Sequence, residues 1–366
     1  MLLARRNLFQ ERTRFGLSVS GVALAIMLIL LLNGFLTGMF RQVTSYLDNS
    51  PGSILIGQEG VANLLGATST LPDGAAARAG EVDGVERVVP ILSQFVILDL
   101  HQKKVPAYMV GYLPEEGGGP WSMAEGREPT ADGEVVVDRV LARRHEITIG
   151  GSIDILGEPF TITGLSEGTA SWMTGFFFVH KTAAESLLQS PGATSYLLVG
   201  LAPEASGETI RARLAEQPGV DAFWKTDAAA NDLKLYARFF SAPARLMVGI
   251  AFWIGSLVVA LVIYTATVER QREYGVLKAV GAGNPTLYTV IVIQAVIAAL
   301  AGVALGVLLA YGLAQWIMAV RPQFLILLES EDILRALIFG LAMALAAALL
   351  PAQLVARLAP AEVFRR

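Results

Sequence analysis

Four long apolar runs constrain this chain more than any other feature. Gly16–Phe40 reads GLSVSGVALAIMLILLLNGFLTGMF, and Leu246–Val268, Leu287–Val320 and Ile333–Val355 follow far downstream. Each supplies the roughly 20 mostly apolar residues that a helix needs to cross a hydrocarbon core. In lipid such a helix satisfies its own backbone groups, and its side chains need no polar partners. The third run is longer than one crossing requires, which predicts a tilted helix or one that projects past the membrane. The fourth is Ala-rich and carries Pro351 near its end. Composition agrees: 54% of the 366 residues are hydrophobic and 16% charged, where soluble domains carry about a quarter charged. The net charge of −4 is small and the basic residues form no stripe, which argues against a nucleic-acid partner. There is no cysteine, so disulfides, thiolate metal sites and cysteine nucleophiles are excluded.

The first run has the basic start of a signal peptide, with Arg5, Arg6, Arg12 and Arg14 before it. Its core is too long, however, and Asn33-Gly34-Phe35-Leu36 stands where a small-x-small cleavage site would be. It is read as a retained anchor. Basic residues in short flanks set topology. Arg270, Arg272 and Lys278 lie between the second and third runs, and Arg357, Arg365 and Arg366 follow the fourth. The short loop between the third and fourth runs sets Arg321 against Glu329, Glu331 and Asp332. The expected fold class is therefore a membrane protein. It has four transmembrane α-helices and an α+β extracytoplasmic domain inserted between the first and second. In order, the expected parts are a cytosolic amphipathic N-terminal segment (1–15), transmembrane helix 1 (16–40) and the extracytoplasmic domain with stalk helices (41–245). Transmembrane helix 2 (246–268), a cytosolic loop (269–286) and transmembrane helix 3 (287–320) come next. A short extracytoplasmic loop (321–332), transmembrane helix 4 (333–355) and a cytosolic C-terminus (356–366) complete the chain. Both termini are placed in the cytosol, and the chain in a bacterial cytoplasmic (inner) membrane.

The outer segment predicts two similar halves. Ser53–Gly57 is strand-like, Asp73–Gly80 helix-like, and Gly84-Val85-Glu86 opens a strand. Tyr196–Gly200 is strand-like, Glu204–Gln217 helix-like, and Gly219-Val220-Asp221 opens Val220–Trp224. Two β-α-β units can bury one sheet face under two helices, although Gly-Val-acid also marks ordinary helix stops. Between the halves, Phe95–Leu100, Val105–Tyr112, Glu134–Val137, Ser152–Leu156, Phe160–Gly164 and Phe176–Val179 predict strands bounded by Gly and Pro. Asp227–Ser241 is amphipathic at helical period and leads into the second run; Phe40–Leu47 continues the first run outward. Together they predict a stalk.

The catalytic inventory is empty. His101, His145 and His180 are scattered, and His145-Glu146 has Ile149 where HExxH needs its second histidine. Gly117-Gly118-Gly119-Pro120 lacks the lysine and hydroxyl of a phosphate cradle. No metal site is expected, and the chain is expected to be no enzyme.

The segment ERQREYGVLKAVG, Glu269–Gly281, resembles the coupling loop of the FtsX/MacB family of ABC transporter permeases, whose pattern is close to E-R-x-R-E-[IF]-G-[VL]-x-[KR]-A-[LIV]-G-A; Tyr274 is a mild departure. Pro351-Ala352…Ala356…Pro360-Ala361-Glu362-Val363 resembles the family's end. Gly126-Arg127, Glu134-Val135-Val136, Leu141-Ala142, Gly150-Gly151-Ser152 and Phe160–Gly164 resemble its MacB-like core domain. The resemblance implies a permease that works with a separate cytosolic ABC ATPase subunit, which binds ATP and Mg; no cofactor is expected in this chain. It implies a dimer with a second copy or a sister permease, and admits a periplasmic adaptor. The ATPase-coupling residues would be Glu269, Arg270, Arg272, Glu273, Gly275, Val276, Leu277, Lys278, Val280 and Gly281. Mixed charge at the start can pair with a partner's rim. Val276, Leu277 and Val280 share a face that can enter a groove, while Gly281, Gly283 and Pro285 would end the helix. Taken alone, the same segment is also an ordinary re-entry hairpin held inside by its charges. Gly302, Gly306 and Ala310 form a small-residue face for helix packing. Transport by mechanotransmission of an amphipathic substrate (drug, lipid, peptide or haem) is the expected function. The alternative is an FtsX-like signalling scaffold that regulates a cell-wall hydrolase. Tyr46-Leu47-Asp48-Asn49, together with the compact outer domain, resembles the HrtB/DevC branch; were haem the substrate, Tyr46, Met39 or a neighbouring outer-leaflet group would be the candidate axial ligand.

Overall fold

The computed structural model describes residues 12–100, 103–170, 175–269, 272, 276, 278–280 and 283–357. Two compact units divide the chain. One comprises residues to Thr37, Phe240–Arg321 and Ile326 onward; the other comprises Gly38–Phe239 and Pro322–Leu325.

The first unit is helical. α1 spans Arg12–Asn49 and passes into the second unit at Gly38. α6 (Lys225–Glu269), α7 (Asn284–Val320) and α8 (Ser330–Arg357) complete the long apolar helices. All four are long and apolar enough to cross a membrane. The stretch 227–241 and the second run form one helix that continues through Pro243. The core of this unit interleaves Ile26 and Leu30 of α1, Val259 of α6, Ile291 and Val303 of α7, and Met343 of α8. Small residues set the spacing. A Cβ on Gly255 would stand 2.5 Å from Ala25 Cβ, and one on Gly340 would stand 2.3 Å from Val303 Cγ2. Such contacts let helices approach where lipid offers no hydrophobic drive to hold them together.

The second unit is α+β and begins with the predicted repeat. β1 (Ile54–Gln58), α2 (Ala75–Gly80) and β2 (Val85–Leu100) form one half. β9 (Tyr196–Leu201), α5 (Gly207–Ala215) and β10 (Val220–Trp224) form the other. The strands lie in the order β10-β1-β9-β2, all neighbours antiparallel. Each half is thus a split β-α-β unit with a strand of the other half inserted between its own two. Ala75 and Ala79 of α2 and Ile210 and Leu214 of α5 cover one sheet face, over Ile54, Ile56, Leu197 and Val199. Gly84 (φ 92°) and Gly219 (φ 76°) occupy matching turns, both left-handed. Only glycine takes that backbone without cost, which is why the same tripeptide pattern recurs.

The inserted strands do more than extend the sheet. β3 (Lys103–Tyr112) pairs with β2, and β8 (Gly175–His180) pairs with β3. β5 (Glu134–Asp138), β7 (Glu158–Ser166) and β6 (Ser152–Ile155) follow in turn. β6 then pairs back onto β2 through Leu98↔Ile155. The ring β2-β3-β8-β5-β7-β6 is closed. Its interior is filled by alternate residues such as Leu98, Met109, Val137, Ile155, Ile162 and Phe177, as small barrels require. β4 (Met123–Gly126) adds an edge beside β7. Two short helices absent from the expectations, α3 (Arg139–Arg144) and α4 (Lys181–Leu187), place Leu141, Ala142, Ala183 and Ala184 in the same core. Asp138 caps α3, taking hydrogen bonds from Val140 N at 2.7 Å and Leu141 N at 3.2 Å. The two strands expected at 84–89 and 95–100 are one continuous β2, which serves the open sheet with its first half and the ring with its second.

Candidate functional site

The charged segment after the second apolar run is the leading candidate. Glu269 closes α6 and is exposed. Arg272 is exposed and Lys278 half-buried. Val276 and Val280 stand one helical turn apart, joined by Val280 N to Val276 O at 3.0 Å. They are 42% and 83% exposed. Two unburied valines on one turn, with charges of both signs close by in sequence, make a surface suited to a partner's groove. Arg270, Glu273, Gly275, Leu277 and Gly281 lie outside the described residues. One expectation is corrected. Pro285 does not end a helix; it sits in the first turn of α7, where proline's missing N–H costs nothing, and Gly283 is the extended N-cap.

Gly302 and Gly306 lie against α1. A Cβ at 302 would come to 2.5 Å from Val22 Cβ, and one at 306 to 2.8 Å from the Ala23 carbonyl oxygen. Ala310, one turn on, is fully buried. The small-residue face is therefore occupied from within the chain.

In the second unit, Gly126, Arg127, Glu134 and Gly164 of the core-domain motifs meet at one corner, whereas Leu141 and Ala142 lie in the core of the ring. A Cβ on Gly126 would stand 2.3 Å from Thr163 O, and one on Gly164 would stand 2.5 Å from Arg127 O. Arg127 forks onto Glu134, with Nη1 donating to Oε2 at 2.7 Å and Nη2 to Oε1. Thr130 N adds a further bond to Glu134 Oε2 at 2.8 Å. The Arg127 bond, foremost, holds the Glu134 carboxyl down at about 2. This corner ties β4 to β5 and β7, a structural task.

Tyr46 and Met39, the residues offered as haem ligands, lie inside the packed core. The Tyr46 phenol donates to the Gly118 carbonyl at 2.6 Å, and its ring stacks on Phe176 at 5.7 Å with Trp121 at its edge. Neither side chain reaches a ligand-accessible surface. His101 lies outside the described residues. His180 Nδ1 is 2.8 Å from the Thr182 hydroxyl. No group of three or more metal-ligating side chains occurs among the described residues.

Sequence reasoning passed over Asp232. It is fully buried on α6 and accepts Leu64 N at 3.0 Å and Leu65 N at 2.9 Å. Asn231 Nδ2 donates to Ala62 O, while Tyr196 and Tyr108 donate to Asn63 O and Leu64 O. Together they strap residues 59–71, which have no regular structure, over the sheet. The signal was there: Ala228, Ala229 and Asp232 at i, i+1 and i+4 put the carboxylate on the apolar face.

Residues 15–217 match the MacB-like periplasmic core domain, and residues 245–360 match the FtsX-like permease C-terminal region. An uncharacterized ABC transporter permease of Mycobacterium tuberculosis is 23% identical over 318 residues, which cover 86% of each chain. The macrolide export ATP-binding/permease protein MacB of Sodalis glossinidius is 26% identical over 346 residues; these cover 84% of this chain and 51% of that one. This chain therefore spans about half the length of that relative. The crystal structure of the periplasmic region of MacB from Actinobacillus actinomycetemcomitans aligns with 50% of this chain and 94% of its own, at 12% identity and a TM-score of 0.39.

Proposed function

The chain belongs to the MacB/FtsX family of ABC transporter permeases, and from that membership we propose that it is the permease subunit of an exporter driven by a separate cytosolic ATPase. The observation that carries the proposal is the succession of the two matched regions along one chain, with the exposed charged segment after α6 inside the second. The ATPase would grip that segment through Glu269, Arg272, Val276 and Val280 and their neighbours. ATP and Mg would bind in the ATPase, not here. The working unit is a dimer in an inner membrane, with the α+β unit outside and the termini and residues 269–286 in the cytosol. An adaptor on the outer side is compatible with the relatedness to a macrolide exporter.

Transport would proceed by mechanotransmission. α1 and α6 each cross from one unit to the other without a break in the helix. At the far ends α1 leads to β1 and α6 follows β10, and these strands pair directly, Ile54 opposite Trp224. A displacement of either helix therefore acts on one paired element. Motion passes through packed elements as discrete shifts, which supports a relay from cytosolic ATPase to outer unit. The substrate class is amphipathic. The signalling alternative gains no separate support, because the core-domain match runs through the whole first half of the chain.

The test is charge reversal at Arg272 and Glu273, each singly and together, in the reconstituted complex. We expect the folded permease to lose ATPase recruitment and substrate-stimulated turnover. Retention of the ATPase at wild-type stoichiometry and turnover would dispose of the coupling role.

A further inference from the structure

Asp232 lies fully buried on the part of α6 that belongs to the second unit. Burial pushes its carboxyl up to about 6, against the two amide bonds that lower it, and no cation is among the groups that act on it. A buried charge without a counter-ion is costly, so its bonds matter. Asp232 Oδ2 accepts Leu64 N at 3.0 Å, and Oδ1 accepts Leu65 N at 2.9 Å. Adjacent amides of the strap, residues 59–71, thus occupy both oxygens. The strap is pinned to the sheet near its ends. Gly60 N donates to Asp221 Oδ2 of β10 at 2.8 Å, and Leu71 N donates to Thr194 O, just before β9, at 2.9 Å. Ser69 adds a bond to Ser195 O at 2.6 Å. The middle is held from two sides. From the sheet, the Tyr108 and Tyr196 phenols donate to Leu64 O and Asn63 O, each at 3.0 Å. From α6 come Asp232 and Asn231, whose Nδ2 donates to Ala62 O at 3.0 Å. Asp232 therefore joins a helix that continues into the first unit to a segment fastened on the sheet.

A proton changes this joint in a defined way. The carboxylate offers one acceptor oxygen to each amide. The acid keeps one carbonyl oxygen, and its hydroxyl turns a hydrogen towards the second N–H. The other titratable groups facing the site are the phenols of Tyr108 on β3, Tyr196 on β9 and Tyr236 on α6. Burial, foremost, raises all three above their ordinary range, so they stay neutral where Asp232 titrates. Lys234 is exposed and donates to Asn231 Oδ1 at 3.3 Å, and Glu59, at the start of the strap, is exposed. We propose that Asp232 is a proton-operated latch: as the carboxylate it locks α6 to the strap and through it to the sheet, and as the acid it gives up one amide and frees the helix to move against the strap. The latch rests on the permease reading for its use, since α6 is one of the two helices that would carry motion to the outer unit, and it would make that relay respond to external pH.

Amide hydrogen exchange of the full-length chain in detergent reads the strap directly. It is followed by mass spectrometry between about pH 7.5 and pH 5 and corrected for the intrinsic pH dependence of exchange. Peptides covering 59–71 should exchange about tenfold faster at the acid end, the worth of one hydrogen bond to a charged group. The step should centre near pH 6, while peptides of β9 keep their protection. Titration of Asp232 does not produce such a step by global unfolding. A carboxyl raised on folding stabilises the fold most at low pH, and that contribution is lost as the pH rises through about 6. Asp232→Asn, which keeps one acceptor oxygen, should exchange fast at both ends of the range with no step. Asn231→Ala should quicken exchange at both ends and keep the step, which separates titration from general loosening. A wild-type profile that is flat across the range overturns the latch and requires no variant to fold. A step that persists in Asp232→Asn overturns it as well. The measurement involves no ATPase, whereas charge reversal at Arg272 and Glu273 is read on ATPase recruitment, so the latch can fail while the permease reading stands.

Discussion

Glu134 shows how a motif residue can be structural. The Arg127 fork, ahead of the Thr130 amide, lowers its carboxyl from the usual 4.5 to about 2. A carboxylate with a depressed folded value stabilises the native state above its unfolded value, and that contribution is lost as the pH falls towards the folded one. We therefore expect thermal stability of the full-length chain to drop on going from pH 5 to pH 3, and to drop less in Glu134→Gln. Parallel pH profiles for the two proteins would refute the assignment. Residue-level reading from sequence succeeded where the backbone imposes one choice, as at Gly84 and Gly219. It stopped short at Tyr46. A tyrosine just beyond an apolar run is ambiguous until Phe176, Trp121 and the Gly118 carbonyl are seen to enclose it.

At the scale of elements, α7 carries its own control. Gly302 and Gly306 face α1 with no room for a side chain, whereas Gly312 has no heavy atom within 4 Å of a built Cβ. Gly302→Leu should cost about 1–3 kcal/mol by overpacking. Gly312→Leu should be neutral or slightly stabilising, since leucine is the better helix former. Thermal unfolding in detergent compares them, and equal effects at the two sites would contradict the packing described. Strands and helices with strong local signals were legible within a few residues: Val220–Trp224 was expected at its observed limits, and Tyr196–Gly200 one residue short. The short helices after Asp138 and His180 were not, because six or seven residues show too little periodicity, and the first rests on a cap whose value depends on burial.

At the scale of the whole molecule, the prediction concerns sidedness. The chain has no cysteine, so a single introduced one reports without background. A membrane-impermeant maleimide applied to intact cells should label Glu158→Cys, on an exposed position in the ring, and leave Lys278→Cys unlabelled. Labelling of Lys278→Cys from outside would reverse the topology and remove the ATPase-binding role with it. Sequence alone determined the four apolar helices, the charged interruption between the second and third, and most of the strands, because hydropathy and turn chemistry act within a few residues of one another. Tertiary structure decided the interleaving of β1 with β9, the closure of the ring through β6 onto β2, and the burial of Asp232. Each of those joins residues dozens to hundreds of positions apart, and no local propensity records which distant surface will arrive to cover a given face.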